Sequence, residues 1–152
     1  MKKLLISGVA AVGLLITTAA CSQASDEAGS DGLTGEWWIK SLEVGTEGDL
    51  TITLYSSIDF FTDETTAVQA MNPDTSAPDT PLTVQGYEAY FGDLTTDADA
   101  GTLTVTVESA AERDLIGQTF ERNYEVDGDT LVLTPSDPAE GFRVTYERQS
   151  AS

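Results

Sequence analysis

Thr102-Leu103-Thr104-Val105-Thr106-Val107-Glu108 is a segment that alternates strictly between aliphatic and polar side chains. Successive side chains of a β-strand point to opposite faces, so the leucine and the two valines share one face. The threonines and the glutamate share the other. The segment therefore predicts a strand with one face in an apolar core and one face in water.

Other segments follow the same pattern. Residues 142–147 alternate in the same way, and residues 119–126 place Phe120, Arg122, Tyr124 and Val126 on one face. No helical stripe occurs apart from a short turn near residues 110–115. Further strands are predicted at 36–41, 50–56, 58–61, 65–71 and 87–94. The predicted fold class is all-β, a single antiparallel up-and-down β-barrel of about eight strands, because closure removes exposed strand edges.

Turn residues separate the strands. Asp97-Ala98-Asp99-Ala100-Gly101 and Asp127-Gly128-Asp129 each precede a Thr-Leu pair and favour hairpin connections. The alternative is a calcium loop built from the spaced aspartates, but the bidentate glutamate of such a loop is missing. Residues 72–81 contain three prolines, which cannot extend a central strand. They predict a long loop or lid at one mouth of the barrel.

The first 20 residues have the order of a secretion signal. Lys2 and Lys3 precede an apolar run from Leu4 to Ile16, and small residues follow it. A membrane-spanning helix needs about 20 apolar residues, and this run is shorter. The ending Thr18-Ala19-Ala20-Cys21 resembles a bacterial lipobox, although Thr18 stands where a large aliphatic residue is usual. Residues 1–20 are thus predicted to be a lipoprotein signal peptide.

Cys21 is the only cysteine and the predicted lipid attachment site. In a lipoprotein the thiol receives a diacylglyceryl group, and two or more acyl chains make membrane attachment durable, since each buried methylene adds about 0.8 kcal/mol. The predicted location is a bacterial cell envelope. In a cell with two membranes the outer one is favoured, because Ser22 stands where an inner-membrane retention signal typically has Asp. Plain secretion, an uncleaved anchor and an idle thiol are the alternatives.

The mature chain divides into a tether and one domain. Residues 21–34 are the predicted acylated N-terminus and flexible tether, because their polar composition cannot offset the entropy of ordering them. Residues 35–149 are long enough for one barrel domain with its own core, expected to be a monomer. A lone cysteine forms no internal disulfide, so an apolar core must supply the stability.

The chain is strongly acidic, with seven basic and 26 acidic side chains. Lys2 and Lys3 belong to the predicted signal, and Lys40 is the only other lysine. Nucleic acid is excluded as a partner because such a field repels a polyanion. The acidity indicates either cation binding and exclusion of acidic partners, or a solvated surface suited to a saline habitat.

The chain contains no histidine, and its one cysteine is assigned to the anchor. This composition removes the commonest general base, the Cys–His pair and most zinc sites. No catalytic residue, metal or cofactor is expected. Carboxyl groups with raised pKa values and tyrosines remain as catalytic options, but composition cannot select a pair among 26 acidic residues. Binding is therefore favoured over catalysis.

Three residues predict a ligand site inside the barrel. Tyr90, Arg122 and Tyr124 form an aromatic wall with one cationic group if their faces point inward. Arg122 is either buried against a carboxylate or in reach of an anionic ligand. Trp37 is expected in the barrel floor. Trp38 points the opposite way and marks a contact patch for another envelope protein.

The sequence from residue 33 to residue 148 resembles the bacterial lipocalin-like domain family. Gly35-Glu36-Trp37 is similar to the Gly-x-Trp of the first lipocalin strand, whose tryptophan an arginine of the last strand often covers. Arg143 and Arg148 are the candidates for that arginine. The family often has basic and His residues in the segment 102–108, where this chain has none. The further similar blocks, in family order, are Met71-Asn72-Pro73-Asp74, Gly86-Tyr87-Glu88-Ala89-Tyr90-Phe91-Gly92, Ile116-Gly117-Gln118-Thr119 and Tyr124-Glu125-Val126-Asp127-Gly128-Asp129-Thr130-Leu131.

The resemblance implies an eight-stranded calycin-type barrel with a small-molecule cavity, on a fold that hosts many functions. The expected function is binding of a small hydrophobic molecule by an envelope lipoprotein. Two alternatives stay open. A filled barrel would serve as a structural or protein-interaction lipoprotein, whereas an isomerase or cyclase would need two ionisable groups that converge in the cavity.

Overall fold

The computed structural model describes residues 32–46 and 48–150. The predicted signal peptide, Cys21 and most of the predicted tether lie outside the described residues. The described part forms nine strands and two short 3₁₀ turns, Arg113–Leu115 and Pro138–Glu140. The strands are β1 Gly35–Thr46, β2 Asp49–Thr53, β3 Ser56–Phe61, β4 Thr65–Met71, β5 Tyr87–Asp97, β6 Thr102–Ala110, β7 Thr119–Asp127, β8 Thr130–Pro135 and β9 Phe142–Arg148.

All strand pairs are antiparallel, and the sheet closes on itself. The strand order is β2-β1-β3-β4-β5-β6-β7-β8-β9, and β1 also pairs with β9. The closing ladder joins Trp38 to Glu147 and Leu42 to Val144. The prediction of a single antiparallel up-and-down barrel of about eight strands is therefore confirmed.

The ninth strand arises from a break in the second strand position of the barrel. β3 pairs with the first part of β1 and β2 with the last part of the same strand. Trp38 pairs with Ile58 and Leu42 with Thr53, so four steps along β1 match five steps along the β2–β3 segment. β2 and β3 are thus two halves of one long strand with an extra residue between them, in the manner of a β-bulge.

The strand that alternates most strictly in sequence lies in the middle of the core. Leu103, Val105 and Val107 of β6 are all buried, as the alternation predicts. They belong to one apolar cluster with Leu131 of β8, which is fully buried. Burying an aliphatic side chain of this size contributes about 1.5 to 3 kcal/mol, so this cluster supplies much of the barrel's stability.

One end of the barrel, the floor, is sealed by the first and last strands. Trp37 is fully buried and donates its indole N–H to the carbonyl of Leu33, at 2.8 Å. The guanidinium of Arg148 covers the ring and donates to the carbonyls of Thr34, at 2.6 Å, and Gly32. Leu33 is only 1% exposed. Residues 32–34, which the composition assigns to the tether, therefore belong to the barrel floor.

Gly35 makes this seal possible. A Cβ atom at this position would lie 2.5 Å from Nη1 of Arg148, and the φ of +145° is one that side-chain-bearing residues rarely adopt. The glycine of the Gly35-Glu36-Trp37 segment therefore leaves room for the guanidinium to reach the tryptophan.

The opposite end, the mouth, carries the longer connections 72–86, 111–118 and 136–141. The first of these is the predicted proline-containing loop, and it holds a fixed conformation. The Asp79 carboxylate accepts hydrogen bonds from the backbone N–H of Gln85, at 3.0 Å, and of Gly86, at 2.7 Å. Thr83 is buried beneath it and donates its hydroxyl to the same carboxylate. In the described part of the chain, no helix has the length and apolar character needed to cross a bilayer.

Candidate functional site

The barrel interior contains a partly open cavity of about 1090 Å³. It runs from Phe61 and Thr66, near the floor, to Leu82 and Gly141 at the mouth. Cavities of 300 to 1,000 Å³ with mostly apolar walls are typical of small-molecule sites. Apolar side chains of five strands form most of the wall: Ile39, Leu42, Val68, Ala70, Leu103, Val105, Leu133, Phe142 and Val144.

One side of the cavity carries a group of polar side chains that we call the acidic cluster. It consists of Asp59, Glu88, Tyr55 and Tyr146. The strand register brings the two carboxyl groups to the same side, because Asp59 lies opposite Val68, and Glu88 opposite Ala70 on the same strand. β4 therefore separates two acidic side chains that both face inward.

Asp59 is the most deeply buried charged residue of the described chain, with 2% of its surface exposed. Its carboxylate accepts hydrogen bonds from the hydroxyl groups of Ser57 and Tyr146. Burial raises the pKa of the carboxyl to about 6, even though both hydrogen bonds act to lower it. A buried carboxylate normally has a cationic partner, and none is within ion-pair distance of Asp59 among the described residues.

Glu88 is the second carboxyl group of the acidic cluster. Burial and then the negative charge of Asp59 raise its pKa to about 7, while Tyr55 and the charge of Arg122 act to lower it. The hydroxyl of Tyr55 donates a long hydrogen bond of 3.4 Å to Glu88. Burial and the same carboxylate raise the pKa of Tyr55 to about 12. Both acidic groups thus hold their protons to a higher pH than exposed carboxyl groups do.

Thr66 is a buried polar residue at the deep end of the cavity. Its side chain is 2% exposed, and its hydroxyl oxygen finds no hydrogen-bond partner in the described structure. Thr66 pairs with Phe61 of β3. Phe61 lies two residues after Asp59 and on the same face of that strand. A buried hydroxyl without a partner costs about 1 to 3 kcal/mol, so this position favours an occupant that can hydrogen-bond to it.

Arg122 lies on the opposite wall and forms an ion pair with Glu140. Its Nη2 is 3.1 Å from the Glu140 carboxylate, and its Nη1 is 3.2 Å from the second oxygen. The guanidinium carbon lies 5.4 Å from the ring centroid of Phe120 and 5.1 Å from that of Phe142. Of the two roles that the sequence leaves open for Arg122, the structure shows the pairing with a carboxylate.

The structure separates the three predicted ligand-site residues. Tyr90 and Arg122 both line the cavity, and Tyr90 makes an edge-to-face contact with Phe120, with ring centroids 5.9 Å apart. Burial, and then the charges of Glu88 and Asp59, raise the pKa of Tyr90 well above its usual range. Tyr124 is buried in the apolar core and is not among the residues that line the cavity.

The two arginines of β9 and the two tryptophans of β1 also take distinct positions. Arg148 covers Trp37, whereas Arg143 is exposed on β9 opposite Glu43. Trp38 points outward, is 50% exposed, and donates its indole N–H to Glu36 at 2.7 Å.

Sequence reasoning missed the acidic cluster because 26 acidic residues offered no basis for a choice. A usable signal was present in the alternation. Ser57, Asp59 and Phe61 share one face of β3, and that face ends in a buried aromatic residue. Glu88 shares a face with Tyr90 in the same way. An acidic residue two positions from a buried apolar or aromatic one is the pattern that indicates an inward carboxyl group.

The acidic side chains were also compared with the geometry of a metal site. Within residues 32–46 and 48–150, no three His, Cys, Asp or Glu side chains are grouped so that they could hold an ion. The aspartates considered for calcium lie at the floor turns, where Asp97 accepts a hydrogen bond from the backbone N–H of Ala100, at 2.9 Å. This is the turn-forming role that such aspartates commonly have.

Fold and cavity define the class of protein: a closed, eight-stranded antiparallel β-barrel, consistent with a calycin-like fold. No protein-family model and no curated protein matches the sequence. A similar architecture occurs in the crystal structure of an uncharacterized protein from Bacteroides eggerthii, at 12% sequence identity and a TM-score of 0.48. The similarity covers 76% of this chain and 98% of that one.

Proposed function

We propose that this protein is a lipocalin-like envelope lipoprotein whose barrel binds a small, largely hydrophobic molecule. The observation that carries the proposal is the cavity of about 1090 Å³ with mostly apolar walls. A concave, mostly apolar surface of this extent favours an apolar ligand, since each square ångström removed from water contributes about 25 cal/mol. The cavity also favours binding over the alternative of a filled, structural barrel.

The lipocalin-like part of the proposal is supported by the floor. The Gly35-Glu36-Trp37 segment opens the first strand, and an arginine of the last strand, Arg148, stacks on the tryptophan with Cζ 4.1 Å from the ring centroid. This is the arrangement that the sequence resemblance implies. The comparisons with known proteins do not add to it.

Anchoring through Cys21 is the second part of the proposal. The order of charged, apolar and small residues before Cys21 supports it. The chain enters the barrel at residues 32–34, at the floor, while the loops of the mouth lie at the other end. An anchor that precedes the barrel would therefore hold the floor toward the membrane and leave the mouth accessible to ligand.

The binding proposal is tested by closing the cavity from within. Ala70 lines the cavity, and Ala67 lies on the outward face of the same strand. We expect Ala70→Phe to abolish retention of co-purified small molecules in native mass spectrometry and to leave the fold intact by circular dichroism. Ala67→Phe is the matched control and should retain them. If neither the unchanged protein nor either variant binds any compound of a lipid and metabolite panel, the result would support the structural alternative.

The anchor is tested separately. Replacing Cys21 by Ala removes the acceptor thiol, so we expect the protein to move from the membrane fraction to the soluble fraction. Incorporation of a labelled fatty acid should be lost in the same variant. Unchanged membrane association without labelling would support an uncleaved N-terminal anchor.

A second candidate function rests on Asp59 and Glu88. Their pKa values of about 6 and about 7 suit proton transfer at neutral pH, as an isomerase or cyclase acting in the cavity would require. In that case Asp59→Asn should abolish turnover of a bound compound while its affinity stays within about threefold. Turnover that is unaffected by Asp59→Asn and by Glu88→Gln would rule out this function.

A further inference from the structure

We propose that the ligand carries a cationic group, a protonated amine, which binds at the acidic cluster between Asp59 and Glu88 while its apolar body fills the cavity. This inference rests on the proposed binding function and specifies the chemical class of the ligand. It is carried by the placement of charges inside the barrel and by the unpaired hydroxyl of Thr66.

The balance of charge inside the cavity favours a cation. Of the charged side chains that line it in the described structure, four are acidic and one is basic: Asp59, Glu88, Asp114, Glu140 and Arg122. The one basic group, Arg122, is held by both oxygens of Glu140. An anionic ligand would have to displace that carboxylate and also face two more buried ones. A cation meets two carboxyl groups that have no cationic partner.

The carboxyl groups of the acidic cluster retain unused acceptor capacity. A carboxylate offers about four lone-pair sites. Within residues 32–46 and 48–150, Asp59 receives two hydroxyl hydrogen bonds, and Glu88 receives only the long one from Tyr55. A protonated primary amine presents three N–H donors, enough to reach both carboxylates.

Thr66 gives an independent indication that this end of the cavity holds a polar group. Thr66 is among the residues that line the cavity, and its buried hydroxyl has no partner among the described residues. It lies diagonally across the strand pair from Asp59, a separation of about 7 to 8 Å between such positions. An unsatisfied polar group therefore lies near Asp59 on the same inward face of the sheet.

The walls around the acidic cluster and the field of the whole protein suit the same ligand. Tyr90 presents an aromatic ring to the cavity next to Glu88, and a cation near an aromatic face gains about 0.5 to 2 kcal/mol. The formal charge of the chain is −19 at pH 7, which raises the local concentration of cations near the mouth. An amphipathic amine fits both the polar and the apolar parts of the cavity.

Binding of a cation should be coupled to the release of protons. The titratable groups that face Asp59 are Glu88, Tyr90 and Tyr146, and the Ser57 hydroxyl donates to it. Glu88 also faces Tyr90, Tyr55 and the charge of Arg122. In the empty barrel both carboxyl groups are partly protonated near neutral pH. An amine binds their ionised forms, so its affinity should rise with pH until both have lost their protons.

The test compares three probes with the same chain: octylamine, octanol and octanoate. The protein is the chain from position 21 onward with Cys21→Ser, which removes the predicted leader and anchor and keeps every described residue. Isothermal titration calorimetry should show octylamine binding about tenfold or more tightly than octanol, since a charge-assisted hydrogen bond contributes about 1.5 to 3 kcal/mol. Octanoate should bind more weakly than octanol.

Variants then assign the preference to the acidic cluster. The pair Asp59→Asn and Glu88→Gln should remove the preference for octylamine and leave octanol affinity unchanged. Glu125→Gln removes one negative charge from the outer face of β7 and should leave the preference intact. If the double variant fails to fold, the unchanged chain decides through pH: octylamine affinity should rise from about pH 5 to pH 8, and octanol affinity should not.

The outcomes separate this inference from the binding function itself. The inference is overturned if octanol binds as tightly as octylamine, or if octanoate is the tightest ligand. Either result leaves the binding function in place. If none of the three probes binds and Ala70→Phe changes nothing, both are overturned.

Discussion

The guanidinium of Arg148, in the last strand, lies flat against the indole of Trp37, in the first strand, with its carbon 4.1 Å from the ring centroid. The same guanidinium donates to the carbonyls of Gly32 and Thr34. One side chain thereby joins the entry of the chain, the floor of the core and the end of the barrel. The contact combines a cation–π interaction with hydrogen bonds from a charged donor, both of which strengthen when water is excluded.

Replacing Arg148 by Leu should lower the free energy of unfolding by about 2 to 4 kcal/mol, because it removes the cation–π contact and leaves carbonyl groups at the floor without donors. Chemical denaturation measures the change. Arg143→Leu is the matched control on the same strand, where the side chain is exposed, and it should change the free energy by less than about 0.5 kcal/mol. Equal losses in the two variants would contradict the importance of the floor contact.

Arg122 and Glu140 should stabilise the mouth to a moderate degree. The pair is bidentate, but the Glu140 side chain is 41% exposed, so solvent screens part of the attraction. We expect Arg122→Met to lower the free energy of unfolding by about 1 to 2 kcal/mol. Lys40→Met breaks the exposed pair with Glu147 and should have almost no effect. A loss for Lys40→Met as large as that for Arg122→Met would show that burial makes no difference between the two pairs.

The stability of the empty barrel should fall as pH rises from about 4 to about 8. Asp59 and Glu88 have pKa values raised to about 6 and about 7, so the folded state holds their protons more tightly than the unfolded chain. The resulting contribution is present below the unfolded pKa values and is lost as pH rises through the folded ones. Each unit of pKa difference corresponds to about 1.4 kcal/mol.

Urea denaturation at several pH values measures this dependence. Asp59→Asn and Glu88→Gln should each flatten the fall in stability, because each removes one of the responsible groups. Glu125→Gln, on the outer face of the barrel, should leave the slope as it is. The same slope in all variants would mean that surface repulsion, not the acidic cluster, governs the pH dependence.

Gly92 is required by the close approach of two strands. A Cβ atom there would lie 2.1 Å from the backbone oxygen of Thr106, beside the register shift between β5 and β6. Gly92→Ala should therefore lower the free energy of unfolding by about 3 kcal/mol. Gly48→Ala has open space and a φ of +85°, so it should cost only about 1 kcal/mol. Thermal or chemical denaturation of both variants distinguishes a steric requirement from a dihedral preference.

The fold could be predicted from sequence because strand alternation and turn-forming residues depend on neighbouring positions in the chain. Thr102–Ala110 contains the strand predicted at 102–108, and the predicted faces of Leu103, Val105 and Val107 are those that the core buries. The division of the second strand position into β2 and β3 was not accessible. The division arises because five residue steps along the β2–β3 segment pair with four steps along β1. This mismatch is a property of the paired strands and not of either sequence alone.

The site was accessible only in part. Tyr90 and Arg122 are predicted as parts of an aromatic wall with one cationic group, and both line the cavity. Tyr124 follows the same alternation, but its depth in the barrel depends on the tilt and stagger of the strands, which sequence does not give. Asp59 and Glu88 come together across β4, so their meeting depends on the register of three strands.

The closing ladder between β1 and β9 determines when the barrel can form. Trp38 and Glu147, which pair in that ladder, are 109 positions apart in the chain. Pairings of such long range place a protein among the slow folders, because the entropy of closing the chain must be overcome before the contacts form. A chain that emerges N-terminus first cannot complete its barrel until the last strand has emerged. Truncation within β9 would leave β1 and β8 as open edges, the form in which a sheet protein most readily aggregates.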